Sequence, residues 1–182
     1  MVFLLILVSG SYYYHLYPAM QKQRLMQEAL DEAHKAVVTK DHEKIKAFLQ
    51  QFLSDQATIK LEISLKPIGG AGAEGTTTQD FDKAGFIAFI DNTLSSVNSY
   101  GYVADLKSFR LNPRTETAAI MFISNEWGEG LNYLAGMDSN MRMASVTVCN
   151  GEVSFDEDHV VLNSISCKSD LRSTYKPSPR NF

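Results

Sequence analysis

Apolar positions change their period several times along this chain, and each change predicts an element. Leu25, Met26, Ala29, Leu30, Ala33 and Val37 recur at helical spacing among polar residues, which predicts an amphipathic helix. Asp41 is placed to cap a further helix, whose Ile45, Phe48, Leu49, Phe52 and Leu53 form the i, i+3, i+4, i+7, i+8 stripe of a core-facing surface. Residues 57–65 then alternate, with Ile59, Leu61, Ile63 and Leu65 apolar, the pattern of a strand with one buried face. Residues 67–79 are rich in glycine and read as a loop. Helical period returns over 80–99, where Phe86, Phe89, Ile90, Leu94 and Val97 share a face.

From Tyr100 onward the pattern is that of strands. Residues 101–111 lead to an Asn112-Pro113 turn, and 117–127 end at Gly128 and Gly130. Residues 131–149 form a long stretch with a bend expected near Gly136, and a last strand covers 159–172. The predicted class is α+β: N-terminal helices packed on one face of a curled, mostly antiparallel sheet.

The first twenty residues stand apart. Residues 2–20 hold no Lys, Arg, Asp or Glu, and nineteen residues of helix span roughly 28 Å, near the thickness of a bilayer core. Residues 2–8 are a dense apolar run, Ser9-Gly10-Ser11 is a polar break, and Tyr12, Tyr13, Tyr14 and Tyr17 cluster ahead of Pro18 as in an interfacial aromatic belt. An uncleaved single-pass membrane helix fits this pattern. A cleaved signal peptide and a buried N-terminal helix are the alternatives. No basic residue precedes the run, as would follow if Met1 were internal to a longer chain, while Lys22 and Arg24 follow it. His15 is expected at the interface. The map is then an anchor over 1–20, a connecting amphipathic helix over 21–40, one α+β domain over 41–172 and a flexible tail over 173–182.

Cys149 and Cys167 are the only cysteines. If a hairpin turns near Asp158, they fall directly opposite each other, where antiparallel strands can bring Cα atoms to disulfide distance. Two free buried cysteines are the alternative. A disulfide with an anchor outweighs the charges of Lys22 and Arg24 and puts the domain outside the cytoplasm, so the expected location is a bacterial inner membrane with the domain in the periplasm.

The pair TKDHEKIKAFLQQFLSD and ATIKLEISL, the helix DFDKAGFIAFIDNTLSSV and the meander TAAIMFIS, MASVTVC and VVLNSISC resemble the nuclear transport factor 2-like, or cystatin-like cone, superfamily over residues 25–172. The resemblance implies a conical fold whose concave sheet face forms a pocket. That pocket is an enzyme site in some members and a ligand or partner site in others, and the sheet is a dimer surface in many. The layout also resembles the single-pass assembly factors of type IV secretion systems, although none of their specific residues is present.

Net charge is −4 with 21% charged residues, which argues against nucleic acid as a partner. Gly70, Gly72 and Gly75 spell G-x-G-x-x-G, yet Pro67 and TTTQD separate them from strand and helix, so a surface loop accounts for them. The turn at Asp156, Glu157, Asp158 and His159 offers too few converging oxygens for a hard cation, and His34 and His42 read as surface residues. Met137, Met141 and Met143 are spaced too loosely for a metal site. No cofactor or metal is called for.

Tyr100, Tyr102, Trp127 and Tyr133 are candidates for a ligand or partner face. Enzymes of the cone superfamily place an inward Asp or His beside a Tyr, which here makes Asp105 and Glu126 the carboxylates to test; exposed strand-end charge is the competing account of both. The expected function is a membrane-tethered, non-enzymatic domain that binds an envelope protein, a second copy or a small apolar ligand. The alternative is a small isomerase- or dehydratase-like enzyme using Asp105 or Glu126.

Overall fold

Two aspartates set helix starts by the same device. Asp41 accepts a hydrogen bond from the Lys44 amide at 3.2 Å and opens α2 (His42–Phe52), and Asp82 accepts from the Gly85 amide at 2.7 Å and opens α3 (Lys83–Ser95). The computed structural model describes the backbone of residues 2–68, 74–132, 139–156 and 159–177, with side chains described there except in 2–16, 131–132, 139–140 and 175–177. Ahead of α2 lies α1 (Val2–Val38), which is followed by Lys40 in the left-handed region at φ 52°. The Lys40 ammonium donates to the carbonyl of Val97, and to that of Asn98 at 3.4 Å, tying the end of α1 to the chain just before the third strand.

The strands are β1 (Leu53–Ile68), β2 (Gly75–Phe81), β3 (Ser99–Asn112), β4 (Thr117–Asn132), β5 (Ser139–Asp156) and β6 (His159–Pro177). They form one sheet in the order β2-β1-β6-β5-β4-β3. β1 and β6 pair in parallel and every other neighbour is antiparallel. Period-two alternation puts Ile59, Ile120, Phe122, Val153 and Ile165 on the face that the helices cover. Met26 and Leu30 of α1, Ile45 and Leu49 of α2, and Ile87 and Leu94 of α3 complete this core. Cys149 and Cys167 are directly paired across β5 and β6, with Cα atoms 4.1 Å apart, and are joined as a disulfide.

Several expectations change. Among the described residues no helix is long and apolar enough to cross a membrane, so the anchor and the single-pass inner-membrane location are not supported. The physical reason is dilution. Only residues 2–8 are continuously apolar, roughly 10 Å of helix where a bilayer needs about 30 Å, and Ser9, Ser11, the tyrosines and His15 follow. Pro18 marks no exit either, because α1 runs through it without a break at residue 20.

The loop expected over 67–79 is partly strand. Gly75–Phe81 forms β2, which pairs with β1 from Leu65↔Gly75 to Ile59↔Phe81, helped by three threonines whose branched side chains suit a pleated surface. β6 runs to Pro177, beyond the end of the expected strand. The bend near Gly136 lies outside the described residues.

His42 is no free surface residue. Its Nδ1 lies 2.5 Å from Asp91 Oδ1, and Lys46 Nζ lies 3.2 Å from Asp91 Oδ2, so Asp91 clasps α3 to α2. The hydrogen bond from His42, followed by that from Lys46, holds the Asp91 carboxyl below its ordinary value. A lowered folded-state value means that this contribution to stability is present at neutral pH and is lost as pH falls through the carboxylate range. Urea melts of wild type and Asp91→Asn should therefore differ near neutrality and converge below about pH 4. A gap that stays constant with pH would contradict the clasp. Replacing both Cys149 and Cys167 by Ala should lower unfolding free energy by about 3 kcal/mol, read from the same melts, because the disulfide closes a loop of sequence separation 18.

Candidate functional site

Strand alternation turns one set of β3–β6 side chains into the cone. Tyr100 and Tyr102 of β3, Ser124 and Glu126 of β4, Ser145 and Thr147 of β5, and Cys167 and Ser169 of β6 share this concave face. Opposite them stand Ala29, Leu30 and Ala33 of α1, Phe48 and Phe52 of α2, and Phe86, Phe89 and Ile90 of α3. Between floor and roof lies a cavity of about 320 Å³. Its roof is hydrocarbon and its floor carries hydroxyls.

Glu126 is the one charged residue among the described residues that line it. Its Oε2 accepts from the Tyr100 hydroxyl at 2.5 Å, and its Oε1 accepts from Ser124 Oγ at 3.1 Å. Thr147 Oγ1 lies 3.4 Å from the same Oε1 and 3.0 Å from Ser169 Oγ, and its single proton serves one of them at a time. A half-buried carboxylate in apolar surroundings needs such donors to offset lost hydration. Tyr102 is paired across the ladder with Glu126, and its hydroxyl has no hydrogen-bond partner among the described residues. Burial first, and then the charge of Glu126, push the Tyr102 phenol above its ordinary value. Burial, the Glu126 charge and the hydrogen bond to Glu126 do the same to Tyr100. Both phenols therefore stay protonated near neutral pH, and Tyr100 donates to Glu126.

The other candidates separate. Asp105 follows the inward Ala104, so it points to the outer face, where it is exposed and 3.4 Å from Lys107 Nζ. Trp127 borders the cavity, yet its ring lies against Gly101 and the residue is 52% exposed. It shares the outer face with the exposed Val103, Val146 and Val148. Tyr133 and Met137 lie outside the described residues, while Met143 lines the cavity. His34 points its Nδ1 at the carbonyl of Tyr102, and so braces α1 on β3 instead of facing solvent. Gly70 and Gly72 are outside the described residues, and β2 separates Gly75 from α3, which is not the arrangement of a phosphate loop. Among the described residues no cluster of His, Cys, Asp and Glu is placed to hold a metal ion.

The hydroxyls of Ser124, Thr147 and Ser169 were missed in the sequence. Their only signal is Ser or Thr at strand positions in phase with apolar neighbours, as Ser145 and Thr147 are with Cys149 and Ser169 is with Ile165 and Cys167.

No protein-family model matches this chain, and no curated protein matches it by sequence. Solved structures do resemble it. A putative aromatic ring hydroxylase from Novosphingobium aromaticivorans superposes with a TM-score of 0.54 at 17% identity, covering 87% of this chain and 94% of that one. The Kfla4162 protein from Kribbella flavida gives 0.52 at 11% identity, covering 82% and 90%. A putative scytalone dehydratase from Novosphingobium aromaticivorans gives 0.50 at 9% identity, covering 86% and 87%. The fold is the nuclear transport factor 2-like cone. At these identities the likeness concerns the fold alone.

The raised phenols carry a pH consequence. Because the folded-state values lie above the unfolded ones, the folded chain keeps protons that the unfolded chain releases, and stability falls as pH rises past about 10. Urea melts should show this alkaline decline in wild type and a shallower one in Tyr100→Phe/Tyr102→Phe. Equal slopes would contradict the burial of these phenols.

Proposed function

We propose that the cone cavity is an acid–base site for a small molecule, an isomerase- or dehydratase-like activity in which Glu126 is the base. The observation that carries this reading is a carboxylate on the floor of an apolar cavity, single among the described residues that line it, held by Tyr100 and Ser124, with the Tyr102 phenol beside it and without a hydrogen-bond partner among the described residues. A neighbour described as a putative scytalone dehydratase shares the cone, which is compatible with the reading and does not decide it.

The chemistry follows from the arrangement. A substrate with a polarised C–H bond enters between roof and floor, and Glu126 takes the proton. Negative charge then develops on a substrate oxygen, and the Tyr102 hydroxyl donates to it without losing its own proton. Glu126 then gives its proton to a departing hydroxyl group, whose C–O bond breaks to release water in a dehydration, or returns it to another carbon in an isomerisation. Tyr100, already hydrogen-bonded to Oε2, positions the carboxylate and takes no part in the transfer.

The test uses a substrate that reports a buried carboxylate base whatever the natural one is. Nitrobenzisoxazole loses its ring proton to such a base, its N–O bond breaks, and a coloured cyanonitrophenolate forms. The wild-type protein should turn it over at least about 100-fold faster than Glu126→Gln, the size expected of a positioned general base. Equal rates in two variants with matched thermal melts would overturn the reading.

A further inference from the structure

The charge of the cavity wall limits what can occupy it. No Lys, Arg or His lines the cavity among the described residues, so an anionic ligand would find no counter-ion and would face Glu126 directly. An ammonium ligand is not required either. The Glu126 carboxylate already accepts from Tyr100 through one oxygen and from Ser124 through the other, with Thr147 in reach of the second. Its need for donors is met by the protein before any ligand arrives.

The two walls then set the ligand's shape. Aromatic side chains of α2 and α3 roof the cavity and can hydrogen-bond nothing, while Ser145, Thr147 and Ser169 place hydroxyls in neighbouring rows of the floor. Thr147 gives its one proton to Glu126 or Ser169 and so can accept from a ligand hydroxyl, while the hydroxyls of Ser145 and Ser169 can donate or accept. We infer that the cavity selects an uncharged ring compound bearing hydroxyl groups along one edge, with its hydrocarbon side toward the helices, and that it rejects anions. This deepens the function proposed above and rests on the cavity being the ligand site.

Three probes with one ring system separate the possibilities: naphthol, naphthoate and the ammonium form of naphthylmethylamine, titrated into the full-length protein by calorimetry near neutral pH. Naphthol should bind tightest, and naphthoate at least about tenfold more weakly, since like charges in a low-dielectric site repel. In Glu126→Gln the penalty on naphthoate should shrink. In Thr147→Val, an isosteric change, naphthol should weaken by about two- to tenfold, the size of one hydrogen bond, while binding of plain naphthalene stays the same. That internal control distinguishes a lost hydroxyl contact from a damaged fold. Naphthoate or the ammonium probe binding as tightly as naphthol would overturn the inference, and so would the absence of naphthol binding.

Nitrobenzisoxazole turnover, measured in parallel, keeps the two proposals apart. Turnover without charge selection leaves the base standing and removes the ligand class. Selection without turnover does the reverse.

Discussion

Glu126 can stand on the floor of an apolar cavity only because hydroxyls from neighbouring strands reach it. A carboxylate removed from water without such donors would destabilise the fold by several kcal/mol, on the order of a small domain's margin. Tyr100 comes from β3, Ser124 from β4 and Thr147 from β5, and Thr147 continues the contact to Ser169 on β6. The cluster therefore demands the register of four strands at once. A slip of one residue in β4 would turn Glu126 to the outer face and bring Trp127 inward, since side chains alternate with period two. The disulfide pins the same register, because Cys149↔Cys167 lies one inward row from Thr147↔Ser169.

The helices close the cone through contacts that involve the same residues. His34 of α1 meets the backbone carbonyl of Tyr102, and Lys40 reaches the carbonyls of Val97 and Asn98 just before β3. α1 is thereby fixed to the strand that carries both cavity phenols. Asp91 then ties α3 to His42 and Lys46 of α2. The aromatic roof is held against itself, with Phe48 stacked on Phe52 and Phe86 beside Phe89. Roof and floor are thus set by different interactions, dispersion above and directed hydrogen bonds below.

Much of this architecture was legible in the pattern of residues. The stripe from Ile45 to Leu53 and the cap at Asp41 gave α2, because both signals are local. Cys149 and Cys167 could be paired because the centre of a hairpin fixes which residues oppose. Failures came where the deciding contact is distant. Thr76, Thr77 and Thr78 read as loop because nothing in their own window shows that β1 waits across the ladder. Asp105 and Glu126 looked equivalent, each a carboxylate near an aromatic, since the parity that separates them depends on which face the helices cover. Trp127, expected on a ligand or partner face, borders the cavity while its ring lies against Gly101, a placement that parity decides as well. Residues 2–20 misled differently: absence of charge resembled a membrane span, but lack of charge is weaker than continuous hydrophobicity.

The buried polar residues point back to function. Among the described residues, four polar ones are buried, Ser124, Ser145, Thr147 and Ser173, and every one lies on the concave face of β4, β5 and β6. Valine at these positions would suit a strand better and would remove hydroxyls that must be satisfied. A sheet optimised only for stability would have an apolar inner face, like the Ile59, Ile120 and Ile165 that occupy the rest of it. The departures at Ser124, Ser145 and Thr147 fall together around one carboxylate, and such a patch is where a fold gives up stability for a site. The helices show no such departure, with Leu30, Ile45, Leu49, Ile87 and Leu94 facing inward as their period requires. Chemistry in this molecule belongs to the sheet, and the helices supply the dry wall that makes one carboxylate on it effective.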